Sequence, residues 1–225
     1  TVFGIEKNNQ DIYNRDELAI MIGKTIITRK FKEFAGDKFT IDTHVVKPSE
    51  AEIEVQKSVI RDFNELCKLY FSDISDERKK AGLRMRRQIE LMIKSCSIPQ
   101  NFPSYFGDEY PQKAKFIGKM IKKTPDKVAV GVTSKEALNI YCNYLEFLFP
   151  KRRVFRIDGS INFERRQDIL DMFEATENGI LVATQQSLKS SVNIPSCNTV
   201  LLESMQWNVP KMEQFYFRFI RLDSK

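Results

Sequence analysis

"KVAVGVTSKEALNIYCNYLEFLF" (Lys127–Phe149) carries the pattern that decides the fold. Its first residues make a short, unbroken apolar run rich in valine, the signature of a strand buried on both faces. Thr133, Ser134 and Lys135 interrupt the run, and apolar residues then return at helical spacing as far as Phe149. The same alternation continues downstream. "RVFRID" (Arg153–Asp158) reads as a strand, and "NFERRQDILDMFEA" (Asn162–Ala175) as a helix with Asn162 as its N-cap. "GILVAT" (Gly179–Thr184) and "NTVLLES" (Asn198–Ser204) read as strands. "PKMEQFYFRFIRL" (Pro210–Leu222) closes the pattern as a helix with Pro210 in its first turn. Strands alternating with helices predict right-handed crossovers and an α/β fold, a parallel sheet covered by helices on both faces. Ligands of such sheets gather at the carboxyl ends of the strands. "VTSK", "DGS" and "ATQQS" are therefore expected on one rim.

Upstream of residue 110 the style changes. "PSEAEIEVQKSVIRDFNELCKLYF" (Pro48–Phe71) has apolar residues at helical spacing, and Ser49 with Glu52 forms an S-x-x-E capping box. "THVV" (Thr43–Val46) before it is strand-like. A second, basic helix is expected over Asp76–Cys96, followed by a proline- and aromatic-bearing loop. The expected organisation is a linker over 1–40, a mainly helical region over 41–110 and the α/β lobe over 111–225.

The chain has 225 residues, 42% of them hydrophobic, enough for a real core. A net charge of +6 suits a polyanionic partner. No apolar run approaches the roughly 20 residues that span a bilayer, and no signal-peptide pattern opens the chain. Four scattered cysteines without a C-x-x-C pair and one histidine, His44, argue for reduced thiols, an intracellular setting and no zinc or other metal site. The opening "TVFGIEKNNQDIY" (Thr1–Tyr13) reads as the middle of a longer protein.

"EQFYFRFIRLDSK" (Glu213–Lys225) sets Gln214, Arg218 and Arg221 at intervals of four and three, one stripe of a helix. Alone, that is a solvated amphipathic surface. In order with the other segments it means more. "VFRIDGSINFERRQDILDMFEA", "ILVATQQSLKSSVNIPSCNTVLLESMQWN" and "QFYFRFIRL" resemble the later motifs of the second RecA-like lobe of superfamily-two motors, closest to the Swi/Snf class of double-stranded DNA translocases. "KTIITRKFKEF" (Lys24–Phe34) is similar to the segment where the first lobe of that family hands over to the second. "KPSEAEIEVQKSVI" and "RRQIELMIKSCSIP" are similar to the helical stretches that follow it. The resemblance runs over about residues 24 to 225.

That resemblance implies a RecA-like lobe and ATP in a cleft between two lobes, with Mg2+ held by a first lobe that this chain lacks. It contains no G-x-x-x-x-G-K-[ST] and no acidic box, so no nucleotide is expected on this chain alone and no hydrolysis by it. Arg221 matches the finger position, Arg218 the preceding arginine and Gln214 the polar residue that organises them. Asn193 and Ser191 match the ATP-cleft stretch. Thr133, Ser134, Lys135, Thr184 and Gln185 would meet phosphates of duplex DNA, the implied partner, without base readout. The implied activity is that of the C-terminal lobe of an ATP-dependent DNA translocase or helicase.

Departures keep a second reading open. The stretch before Asn193, glycine-rich in the family, is Leu188, Lys189, Ser190 and Ser191. Phe217 stands where a small residue precedes the first arginine, and Asp223 where a glycine is usual. A non-catalytic nucleic-acid-binding or interaction module on the same fold would tolerate these changes, and so would a diverged viral version. Asp158 and Gly159 read as a plain turn, with Asp158 able to orient Arg165 or Arg166. Trp207 reads as a packing anchor. Lys79, Lys80, Arg84, Arg86 and Arg87 read as a solvated cluster or a patch on a nucleic-acid backbone.

Overall fold

The computed structural model describes residues 40–71, 75–188, 194–205 and 209–219, with no side-chain detail for 75–79, 83 and 209–211. Two compact units divide the chain, Thr1–Ile41 and Asp42–Lys225. All but residues 40 and 41 of the described part lie in the second. The expected linker segment Lys24–Phe34 lies outside the described residues, as do Ser191, Asn193, Trp207 and Arg221.

Helix α1 spans Glu50–Tyr70 and α2 Ser75–Ser97, followed by a 3-10 turn at Pro99–Asn101. The capping box at the start of α1 forms as the sequence requires. The Glu52 backbone N–H donates to Ser49 Oγ at 3.3 Å, and the Ser49 N–H to Glu52 Oε2 at 2.6 Å. Residues 43–46, expected as strand-like, form no strand: the two β-branched valines favour extension, but no described strand pairs with them. Helix α3, Gln112–Lys123, was not anticipated from the sequence. Its buried stripe of Ala114, Ile117, Gly118 and Ile121 follows the i, i+3, i+4, i+7 rule, and Pro111 precedes it.

The lobe then runs β1 (Val128–Val132), α4 (Lys135–Leu148), β2 (Val154–Ile157), α5 (Phe163–Glu174), β3 (Ile180–Thr184), β4 (Thr199–Leu202) and α6 (Val209–Tyr216). The four strands are parallel in the order β2-β3-β1-β4. Side chains alternate across this sheet. Val128, Val130, Val132, Ile180 and Val182 pack toward α3 and α4 on one face. Ala129, Leu181 and Ala183 pack with Leu170, Phe173, Phe215 and Phe219 from α5, α6 and the turn after it on the other. Burying one such valine is worth about 1.5–3 kcal/mol. Gly131 leaves no room for a side chain, since a Cβ there would lie 2.7 Å from Leu202 Cδ2 and from Phe215 Cε1. Helix α6 therefore lies directly on β1.

The chain leaves β1 toward β2 and leaves β3 toward β4, in opposite directions across the sheet. The adjacent carboxyl ends of β1 and β3 form the switch point where doubly wound sheets open a crevice. The architecture is a RecA-like parallel sheet with helices on both faces, preceded by a helical pair. Among the described residues no helix is long and apolar enough to cross a membrane.

Candidate functional site

Parallel pairing brings the ends of all four strands to one rim, as the alternation in the sequence requires. After β1, Ser134 caps α4: its hydroxyl accepts from the Ala137 N–H at 3.1 Å. Its neighbours turn opposite ways. The Thr133 N–H and hydroxyl both donate to Glu203 Oε2 at 3.1 Å, just beyond β4. Lys135 Nζ reaches the turn after β2, 3.1 Å from Ser160 Oγ and 3.4 Å from Asp158 Oδ2.

The β4 side is a closed knot. Glu203 is 6% exposed, and Ser204 Oγ donates to its other oxygen at 3.4 Å. Lys113 from α3 donates to Ser204 Oγ at 2.9 Å. Gln185, at the end of β3, donates its amide to the Ser204 carbonyl at 2.9 Å. A buried carboxylate demands such donors, because desolvation without them is costly. Glu203, Ser204 and Lys113 were not singled out in the sequence. The only hint was an acidic residue directly after an apolar strand.

Thr184 and Gln185, both expected to meet DNA phosphates, lie beside this knot. Thr184 is 8% exposed and Gln185 1%. Strand β3 lies between β1 and β2, so its end is covered on both sides, and the Gln185 amide is committed inward. Both residues support the rim from beneath.

The β2 side is open. Asp158 Oδ1 accepts from the N–H and hydroxyl of Ser160. The Ser160 hydroxyl, ahead of the Lys135 ammonium, holds the Asp158 carboxyl below the usual aspartate range. Asp158 therefore orients Lys135, not Arg165 or Arg166. Arg166 instead donates to the Ile161 carbonyl at 2.9 Å. Asn162 caps α5 through the Arg165 N–H at 2.9 Å, as expected. Beside Lys135, Glu136 is held below the usual glutamate range by its own backbone N–H and the Ser134 hydroxyl, and it pairs with Lys94 of α2 at 3.7 Å.

In the last part of the lobe, Gln214 is exposed on α6 and Arg218 half-buried in the turn that follows. The Arg218 carbonyl accepts from the Ile194 N–H at 3.0 Å. The stretch that continues from Asn193 is thus clasped to the stretch that continues to Arg221. His44 packs against Phe116 with the rings tilted by 49° and their centroids 5.3 Å apart. Burial pushes the Cys142 and Cys197 thiols up to about 12, leaving both as core residues with no thiolate chemistry.

Residues 112–223 match the family of the helicase conserved C-terminal domain, and the chain belongs to that family. Its fold is that of the C-terminal lobes of SWI2/SNF2 ATPases. One similar structure is the C-terminal part of the Fun30 ATPase domain, with a TM-score of 0.61 at 12% identity, covering 80% of this chain and 79% of that one. Another is the SWI2/SNF2 ATPase core domain of Sulfolobus solfataricus, with a TM-score of 0.63 at 18% identity, covering 92% of this chain and 43% of that one. The Sulfolobus core in complex with double-stranded DNA gives 0.58 at 18% identity, covering 86% of this chain and 42% of that one. The chain thus spans less than half of either Sulfolobus core. No curated protein sequence matches it.

Proposed function

We propose that this chain is the C-terminal motor lobe of an ATP-dependent duplex DNA translocase, working intracellularly with a first RecA-like lobe. The observation that carries the reading is the helicase C-terminal match over 112–223, which contains Gln214, Arg218 and Arg221 in the spacing of the family's last motif. ATP and Mg2+, when bound by the whole protein, supply the phosphoryl-transfer chemistry. The residues here fit the polyphosphate side of such a site. Planar, permanently charged guanidiniums suit spreading negative charge; Gln214 is exposed and Arg218 half-buried, and the Arg218 carbonyl is bonded to the Ile194 N–H. They fit Mg2+ poorly. The rim carboxylates Asp158 and Glu203 already accept hydrogen bonds from Ser160 and Thr133, so the metal is assigned to the other lobe.

On the rim, Lys135 is the group placed to meet a DNA phosphate. Thr133 and Ser134 present the helix N-terminus beside it, and Thr184 and Gln185 hold that turn in place. Contacts of this kind read the backbone and not the bases. A second reading, a module that kept the fold and lost the motor, draws on Lys189, Phe217 and Asp223, which break the family pattern.

The decisive variant is Arg221→Ala in the protein that includes the first lobe. Turnover is expected to fall by about 10³ or more, since such arginines act on the transition state, with DNA affinity held. Arg221→Lys is expected to rescue poorly, and Lys225→Ala to change little. Turnover within about threefold of the parent would leave the last helix an amphipathic surface and favour the second reading.

A further inference from the structure

Helix α2 holds seven basic residues against three acidic ones, four of the chain's six surplus positive charges. Its orientation is settled by what it buries. Ala81, Gln88 and Ser95, seven residues apart, are buried, and Gln88 Nε2 donates to the Val59 carbonyl of α1 at 3.0 Å. With that face turned to α1, Lys80, Arg84, Arg87 and Lys94 follow at intervals of four, three and seven, which places them along one flank. Arg86 and Glu90 lie outside it. Lys80, Arg84 and Arg87 are exposed and make no ion pair among the described residues. Lys94 pairs with Glu136, the residue after Lys135, so the flank ends against the rim.

We infer that this flank of α2 is a second phosphate track, on which the duplex backbone continues from the rim at Lys135 through Lys94, Arg87 and Arg84 to Lys80. The inference rests on the reading of Lys135 as a phosphate contact. A surplus of charge gathered on one rigid helix suits a partner with regularly spaced negative charge. From Lys80 to Lys94 the helix rises about 21 Å, about the length of six base pairs at roughly 3.4 Å each. Three of the four basic groups make no ion pair among the described residues. An acidic peptide would meet the same charges, but nothing in an extended peptide continues from the track onto a rim that already favours phosphate.

The test is duplex DNA binding by the whole 225-residue chain, read by anisotropy of a labelled duplex across a salt series. Counterion release gives a log–log slope of about 0.9 per phosphate neutralised. The triple variant K80Q/R84Q/R87Q is expected to lower that slope by about 2.7, K135Q by about 0.9, and R86Q by less than about 0.5. These residues are exposed, so far-UV circular dichroism should match the parent. An unchanged slope in the triple variant with a lowered slope in K135Q would overturn the track and leave the rim reading standing. The reverse would keep the track and sink the rim contact. A parent chain with no salt-dependent binding would overturn both. Loss of polyglutamate binding in the triple variant, with its DNA slope intact, would assign the flank to an acidic protein and overturn the proposal.

Discussion

The two sides of the rim start from adjacent residues and end in opposite conditions. Thr133 faces β4 and meets a buried carboxylate that is already ringed by donors. Lys135, two residues on, faces β2 and meets Asp158 while its own side chain stays 59% exposed. Ser134 between them is fixed by its own capping bond. One strand–helix turn thus supplies both a structural anchor and an accessible charge. The closed side sets where the turn sits. The open side is where a polyanion can compete with Asp158 for the ammonium.

Substitutions at the two sides should therefore part company in size. Glu203→Ala should do the most damage, since it leaves the Thr133 N–H and hydroxyl and the Ser204 hydroxyl without their charged acceptor. A loss of about 2–4 kcal/mol is expected from urea unfolding. Thr133→Val removes only the hydroxyl bond and keeps the backbone one, so about 1 kcal/mol is expected. Equal effects would mean that the hydroxyl alone anchors the turn.

Asp158→Asn should cost about 1 kcal/mol or less at neutral pH, because its partner Lys135 is well solvated. Its dependence on pH is the sharper reading. The carboxyl titrates lower in the folded chain than its ordinary value of about 4, so its stabilisation is present above that value and is lost as pH falls through the folded one. The gap between parent and D158N should close in acid, below about pH 4. A gap that persists there would assign the effect to the turn and not to charge, and one larger than that of Glu203→Ala would erase the contrast between the sides.

Much of this was legible in the sequence because burial leaves a period. Val128–Val132 and Ile180–Ala183 are apolar throughout and belong to the central strands, flanked on both sides, of the sheet. Ser49 with Glu52, and Asn162, sit at helix starts because short polar side chains satisfy the first N–H groups. What escaped was the inward use of polar residues. Gln185 looks like any rim glutamine until β3 and β4 flank β1, which brings the Ser204 carbonyl within reach of its amide. Glu203 likewise finds Thr133 seventy positions away in sequence. Helix α3 was missed although its stripe was present, since Gly118 and five lysines dilute the apolar signal. The valines at 45 and 46 misled for the opposite reason: residue type favours extension, but a strand requires a partner.

One carboxylate described early has a reach beyond capping. Glu52 gives one oxygen to the Ser49 N–H and the other to the Gln112 N–H at 2.8 Å, the first residue of α3. The chain's excursion through α1 and α2 therefore begins and ends at the same side chain. Such a hairpin is a detour with a pinned mouth. Its far end, between the end of α1 at Tyr70 and the start of α2 at Ser75, can be lengthened or shortened while the sheet beyond α3 keeps its starting point. Tags and sensor domains belong there, and Glu52 is the residue to leave alone.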